Sequence, residues 1–382
     1  MTHQACNRID ATRPDSPRLA GPGALPVGVQ TLTLTDPARV DLDGETRPRA
    51  LTVELWYPAA PGTAPGGSYD TLLRDGATPV TLHGRAARDA SPAPARWPLV
   101  LISHGYPGNR YLMSHLAEAL ASRGYLVAAA DHPQSTYQDQ GPFGATLYHR
   151  PLDQRFLLGA LADHPLAQPD TAALIGYSMG GYGALVTAGA GLADGMEAHE
   201  QAPPGGLLAV HLARNLTPPP ANLRAVIAFG PWGNGHGLWS TEGLCGIALP
   251  LLVIAGSVDT VSVYEGMRGI ARDAGGTLLT FVNAGHNAAA PIPAPVESHA
   301  HSDKLGWAPF LHYADPVWDT VRMNAVAQHF VAAFLDRHLK GHSACDALLD
   351  PETALEPEAG FGEGMQAGLT LERWTKAGDA AL

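Results

Sequence analysis

Leu174-Ile175-Gly176-Tyr177-Ser178-Met179-Gly180-Gly181 sets a short apolar strand directly against Gly-x-Ser-x-Gly and the start of a helix rich in small residues. A serine on so sharp a strand-to-helix turn holds a strained backbone, and only residues without bulky side chains fit two positions before and after it. Gly176 and Gly180 occupy those places. The turn points the hydroxyl away from the sheet, and the first N–H groups of the following helix have no partner within it, so they face an incoming negative oxygen. Ser178 is therefore the candidate nucleophile. In a chain with 43 glycines the same pentapeptide also suits an ordinary glycine-rich turn. Context separates the two: residues 171–175 read as a buried strand, and Gly181, Gly183, Ala184 and Ala188 let a helix pack closely on it.

Outward from this turn, strands and helices alternate. Leu99-Val100-Leu101-Ile102 is a continuous apolar run of the kind buried on both faces of a parallel sheet. Leu112, Leu116, Ala119 and Leu120 follow at helical spacing, with Arg123-Gly124 as a cationic last turn and a stop. Residues 125–130 are the next strand, 150–161 the next helix, and 224–229, 250–255 and 277–282 three further strands, with helical character over 263–272. This alternation predicts an α/β fold with a mostly parallel, doubly wound sheet. Upstream, residues 27–34 and 50–56 predict an antiparallel pair at its start.

The domain plan is a disordered lead-in over 1–26, one domain over 27–340 and a peripheral, acidic tail over 341–382. Residues 62–96, dominated by Ala, Pro, Gly and Arg, read as a loop or loosely ordered insertion. Leu207, Leu208 and Leu212 could form the apolar side of a short helix within 189–222, an insertion that is either a lid over the active site or a surface excursion. A proline- and histidine-rich loop over 288–314 precedes the last helix. That helix is expected to have Asp315 as N-cap, Pro316 in its first turn, and Val317, Val321, Phe330, Phe334 and Leu335 toward the core.

With 45% hydrophobic and 16% charged residues the 382-residue chain is globular in composition. Its net charge of −12 argues against nucleic acid as a partner, which needs a clustered basic surface. No run approaches the roughly 18 apolar residues of a membrane span, and no apolar signal segment stands near Met1. Cys6, Cys245 and Cys345 match no metal-ligand spacing and read as reduced thiols of a cytoplasmic protein, with one disulfide left open.

A serine hydroxyl is a poor nucleophile at neutral pH and needs a base, held in its useful tautomer by a carboxylate. Asp259, in the loop after the 250–255 strand, and His286, in Asn283-Ala284-Gly285-His286-Asn287 after the last strand, are the candidates. Glu265 and Asp273 are alternative acids, though helical character there favours solvated positions. Two N–H donors are needed for the oxyanion. Met179 supplies one; in His104-Gly105-Tyr106-Pro107-Gly108, Pro107 cannot donate, so Tyr106 is the second and its ring can wall the site. His104 reads as structural. Trp232, on the turn after residues 224–229, is a candidate substrate contact or a packing anchor. No preceding strand positions His299, His301 and Asp303 as ligands, and no metal or other cofactor is expected.

The elbow, His104-Gly105, Asp259 and His286, spread over 97–340, resemble the α/β-hydrolase superfamily, in which the triad runs in the chain order Ser, Asp, His. Within it, Leu55-Trp56-Tyr57-Pro58, Ser103-His104-Gly105 and Ala130-Asp131-His132-Pro133 resemble the dienelactone-hydrolase-like and platelet-activating-factor-acetylhydrolase-like branch. Gly105-Tyr106, Ser178-Met179-Gly180-Gly181 and Pro231-Trp232 are similar to bacterial cutinases and polyester hydrolases. Dienelactone hydrolases proper carry cysteine where this chain has Ser178. The expectation is a serine esterase acting on small-molecule esters of short to medium acyl chains, with polyesters open as substrates. The alternatives are a peptidase or amidase resembling prolyl-oligopeptidase catalytic domains, and a non-catalytic binding protein on a hydrolase scaffold.

Overall fold

The computed structural model describes residues 6–376. Its first two strands, β1 (Val27–Val40) and β2 (Thr46–Pro58), pair antiparallel. A hairpin, β3 (Gly67–Leu72) and β4 (Pro79–Gly84), forms a separate small sheet, and β5 (Ala87–Arg88) returns to β1. Alternation then begins: β6 (Trp97–Ser103), α1 (Ser114–Ala121), β7 (Leu126–Ala130), α2 (Phe143–Ala162), β8 (Ala167–Tyr177) and α3 (Met179–Thr187). It continues with β9 (Leu223–Phe229), α4 (Thr241–Cys245), β10 (Leu251–Gly256), α5 (Tyr264–Ala274), β11 (Thr277–Phe281), α6 (Thr320–Lys340) and β12 (Leu369–Arg373). The ten-stranded sheet runs β12-β11-β10-β9-β8-β6-β7-β2-β1-β5. Its middle, from β11 to β7, is parallel; β12 and β2 flank it antiparallel. The expected fold class is the observed one.

Period-two alternation divides the apolar strand residues between two cores. Val100, Ile102, Ile175, Ile227 and Ile254 face α1 and α6, whereas Leu101, Leu174, Val226 and Val253 face α2, α3 and α5. Both faces are covered, so the strands read as continuous apolar runs. Small residues bring α3 close: a Cβ on Gly183 would lie 2.6 Å from Arg150 Cγ on α2, and one on Gly181 would lie 2.9 Å from Pro231 Cα. No helix among the described residues is long and apolar enough to cross a membrane.

Several expectations are corrected. From residue 6 the lead-in is ordered: Ile9 is buried, its N–H donates to the His83 carbonyl at 3.0 Å, and the Gly21 N–H reaches Gln328 Oε1 at 3.0 Å. Polar, proline-rich composition resists helix and sheet periodicity, yet an extended segment can dock through its backbone groups. The 62–96 segment holds the β3–β4 hairpin, because its apolar residues bury on a polar chain rather than on a periodic face. Trp56 Nε1 donates to Tyr69 Oη at 2.8 Å, Tyr69 donates to Glu118 Oε1, and the Arg85 N–H reaches Glu118 Oε2 at 2.7 Å.

The tail supplies edge strand β12 and buries Leu348, Leu349 and Phe361, its apolar residues being too sparse to signal a strand in sequence. Its residues 377–382, like residues 1–5, lie outside the described range. The last helix starts at Thr320, capped by Asp319, whose Oδ1 accepts from the Arg322 N–H at 2.8 Å. Asp315 instead closes the preceding turn by accepting from the Val317 and Trp318 N–H groups, and Val317 is 66% exposed. Helix α2 begins seven residues before the apolar pattern is legible and carries Pro151 inside it. The 189–222 segment packs on α2 with Leu208 and Leu212 buried, and Trp239 Nε1 donates to the Ala190 carbonyl at 3.0 Å.

A buried carboxylate fastens the β1–β2 hairpin to α2. Asp153 accepts from Arg39 Nη1 at 2.6 Å, Arg49 Nε at 2.9 Å and His132 Nδ1 at 3.1 Å. Burial pushes this carboxyl up, but Arg49 and His132 outweigh it and hold it well below the ordinary 3.8. A depressed folded value means the stabilisation is present above the unfolded value and is lost as pH falls through the folded one. Asp153→Ala should lower the unfolding free energy by about 3–5 kcal/mol near neutral pH. In denaturant titrations the gap to the unmodified protein should persist down to about pH 5 and narrow below about pH 4.

Candidate active site

Strand β8 ends by delivering Ser178 onto the elbow with φ 54° and ψ −112°, a conformation the surroundings enforce. Its N–H donates to the Phe229 carbonyl at 2.9 Å. A Cβ on Gly176 would lie 2.1 Å from the Gly180 carbonyl oxygen, and one on Gly180 would lie 2.0 Å from that of Ser103, so no other residue fits either place.

The C-terminal ends of β10 and β11 bring in the other two residues. Asp259 sits in the loop after β10, where its Oδ1 accepts from the Val261 and Ser262 N–H groups at 2.7 and 2.9 Å. Its Oδ2 accepts from His286 Nδ1 at 2.8 Å, and His286 Nε2 lies 3.0 Å from Ser178 Oγ. Burial works to raise the Asp259 carboxyl, but the hydrogen bond and charge of His286 and the two N–H groups hold it below 3.8. An ionised Asp259 keeps the proton on Nδ1 and leaves Nε2 free to accept the serine proton. Gly285 is pinned by its N–H to Asp315 Oδ2 at 2.7 Å, and the His286 ring lies against Tyr177 with centroids 5.3 Å apart. Asp273, one of the alternative acids, lies on α5 and is bonded to Arg272 and to Thr241 of α4 instead.

The loop after β6 passes beside the nucleophile: a Cβ on Gly105 would lie 3.3 Å from Ser178 Cβ. The N–H groups of Tyr106 and Met179 donate to no protein acceptor among the described residues. His104 is enclosed within the loop, its Nδ1 donating to the Gly105 carbonyl at 2.7 Å and its Nε2 accepting from the His132 N–H at 3.3 Å. Burial, then the charges of Arg150 and His132, keep it far below the usual histidine range and neutral.

Beneath this loop lies a second serine–histidine–aspartate array. Ser103 Oγ is 2.9 Å from His132 Nε2, and His132 Nδ1 is 3.1 Å from Asp153 Oδ2. Arg150 completes it by donating to the His104 carbonyl. Ser103 and Asp153 are wholly inaccessible, whereas Ser178 keeps 7% of its surface and the His286 side chain 18%. The inner array can hold the loop but cannot reach a substrate.

Trp232 stands beside the nucleophile, its N–H donating to the Ser178 carbonyl at 3.2 Å. Its ring meets Phe143 at 5.1 Å and stacks on His236 at 4.5 Å, and Phe143 meets Tyr106 at 5.4 Å, so the rings form one wall. Phe143 was not legible in sequence because the first turn of α2 shows no apolar periodicity. The 189–222 segment borders this wall: a Cβ on Gly144 would lie 2.7 Å from the Gln201 carbonyl oxygen. A separate surface cleft of about 640 Å³, lined by Pro250, Gly276, Arg337 and Lys376, lies at the N-terminal ends of β10 and β11, away from the triad.

A family model described as the alpha/beta hydrolase fold matches residues 98–191. No curated protein matches the chain by sequence. The structure is similar to that of a ferulic acid esterase from Streptomyces cinnamoneus, with a TM-score of 0.60 and 23% identity over 89% of this chain and 96% of that one. Sheet order, elbow and both likenesses agree, and the chain has the α/β-hydrolase fold.

Proposed function

We propose that the chain is a serine carboxylic ester hydrolase working through an acyl-enzyme. The observation that carries this reading is the hydrogen-bonded line from Asp259 Oδ2 to His286 at 2.8 Å and from His286 to Ser178 Oγ at 3.0 Å, set on a strained elbow. His286 Nε2 takes the Ser178 proton as Oγ attacks the ester carbonyl carbon. The Tyr106 and Met179 N–H groups receive the oxyanion. The intermediate collapses, the leaving alkoxide takes the proton from His286, and the acyl group stays on Oγ. Water then gives a proton to His286 and attacks the acyl carbon; the acid departs and Ser178 recovers its proton. Asp259 stays ionised and stabilises the imidazolium throughout. The scheme needs no cofactor.

The wall of Trp232, Phe143 and Tyr106 suits short to medium or aromatic acyl groups of small-molecule esters, and the likeness to a ferulic acid esterase supports ester chemistry. The resemblance to dienelactone-hydrolase-like proteins and polyester hydrolases extends that reading to larger esters. The free thiols of Cys245 and Cys345 fit a reducing compartment such as the cytoplasm.

Hydrolysis of a p-nitrophenyl series from acetate to palmitate tests the reading and sizes the acyl pocket. Ser178→Ala should lose on the order of 10⁴-fold or more in turnover with the fold intact. Near-full activity in that variant would refute the assignment. Asp259→Asn should also lose about 10⁴-fold, because the wrong histidine tautomer then faces the serine. Equal rates on an ester and its matched amide would identify an amidase. Failure of a fluorophosphonate to label Ser178 in folded protein would favour the binding-protein alternative.

A further inference from the structure

The loop over 104–108 meets the elbow at a glycine. A Cβ on Gly105 would lie 3.2 Å from the Tyr177 ring and 3.3 Å from Ser178 Cβ. Glycine meets that steric demand, but its wide backbone freedom leaves the peptide that follows it soft to rotation. The N–H of that peptide belongs to Tyr106. The Gly105–Tyr106 bond is trans, so its carbonyl and its N–H point in opposite directions, and whatever fixes the Gly105 carbonyl also fixes the Tyr106 N–H.

His104 holds that carbonyl. Its Nδ1 lies 2.7 Å from the Gly105 oxygen, a group that can only accept, and its Nε2 lies 3.3 Å from the His132 backbone nitrogen, a group that can only donate. These two partners admit one tautomer of a neutral ring, with the proton on Nδ1 and the lone pair on Nε2. The residue is 2% exposed, and a Cβ on Gly108 would lie 2.6 Å from Nδ1, so the far end of the loop closes over that nitrogen.

The buried polar groups beneath the loop keep this arrangement in place. His132, whose N–H selects the tautomer, is itself held by Ser103 at 2.9 Å and Asp153 at 3.1 Å. Arg150, buried on α2, grips both ends of the loop with one guanidinium. Its Nη1 donates to the His104 carbonyl and its Nη2 to Ser135 Oγ, while the Ser135 carbonyl accepts from the Gly108 N–H at 3.1 Å.

We infer that His104 is a positioning residue of the oxyanion hole: through the Gly105 carbonyl it turns the Tyr106 N–H to the side on which Gly105 meets Ser178, with His132 setting its tautomer and Arg150 its place. The inference rests on the ester-hydrolase reading for what the N–H receives, but not for the orientation of the peptide.

Three substitutions separate the two contacts of the ring. In His104→Asn the amide nitrogen is bonded to Cγ, as Nδ1 is, and reaches the Gly105 carbonyl. In His104→Gln the amide lies one atom further out, level with Nε2, and His104→Leu has neither contact. On 4-nitrophenyl acetate, kcat should fall by on the order of 10- to 100-fold in the Gln and Leu variants with KM within about threefold, and Asn should keep kcat within about fivefold of the unmodified protein. A trifluoromethyl ketone, whose hemiketal with Ser178 puts an oxyanion in the hole, should lose affinity in step with kcat. Equal losses in the Asn and Gln variants, or a loss carried by KM, would overturn the inference. A crystal structure of His104→Gln reads the orientation without reference to activity: the Gly105 carbonyl should turn from its present direction, and an unmoved peptide would also overturn it. So would ¹⁵N shifts of His104 in the unmodified protein that put the proton on Nε2, a measurement that needs no variant to fold. A turned peptide in a protein that cleaves no ester would sustain the positioning role and refute the esterase; ester cleavage unchanged by all three substitutions would do the reverse.

Discussion

The whole site hangs on a contact between backbones. Where β8 turns into α3, the chain passes so close to the end of β6 that a single methyl on Gly180 would penetrate the Ser103 carbonyl oxygen at 2.0 Å. That approach forces Ser178 to a positive φ of 54°, a strain on the order of 1–3 kcal/mol that persists only because the surroundings over-determine it. The Phe229 carbonyl holds the Ser178 N–H, and Gln154 Nε2 holds the Gly180 carbonyl at 3.0 Å. The same contact sets the distance between the elbow and the loop of Tyr106. Nucleophile and oxyanion donors are thus positioned by one constraint, and a parallel register of β6, β8 and β9 is its precondition.

Two serine–histidine–aspartate arrays share this region, and comparing them shows what chemistry requires beyond residue type. In the inner array Asp153 is held by two arginines as well as His132, and burial drives His132 down to about 4, with the charge of Arg150 adding to the effect. Charging that imidazole would be costly, so it cannot serve as a proton acceptor for Ser103 near neutral pH. Its polar groups are satisfied and its role is to fix geometry beneath the oxyanion loop. In the outer array His286 is partly open to solvent and faces one carboxylate, so an imidazolium can form and be stabilised. Access and charge balance, not the triad pattern, distinguish the two.

The additions around the central sheet are arranged along the same edge. The β3–β4 hairpin is tied to the loop of Tyr106 and to the polar chain of Trp56, Tyr69 and Glu118. The 189–222 segment braces α2 and borders the aromatic wall that Phe143 joins to Trp232 and Tyr106. Loops at the C-terminal ends of parallel strands are free to vary because the sheet beneath them is fixed by its own core.

The order of strands and helices, the parallel sheet, the elbow and the candidates Ser178, Asp259 and His286 were legible in sequence, because each leaves a local mark: an apolar run, a glycine at a forbidden place, a polar residue just past a strand. The hairpin within 62–96, edge strand β12, the ordered lead-in and the start of the last helix were not, because they are stabilised by partners tens to hundreds of residues away or by a cap that looks the same one turn earlier. Ser103, His132 and Asp153 belong to three separate elements, and nothing local distinguishes their buried array from scattered polar residues. Only the fold brings them together, since burial and ion pairing are properties of packing and have no representation in the chain alone.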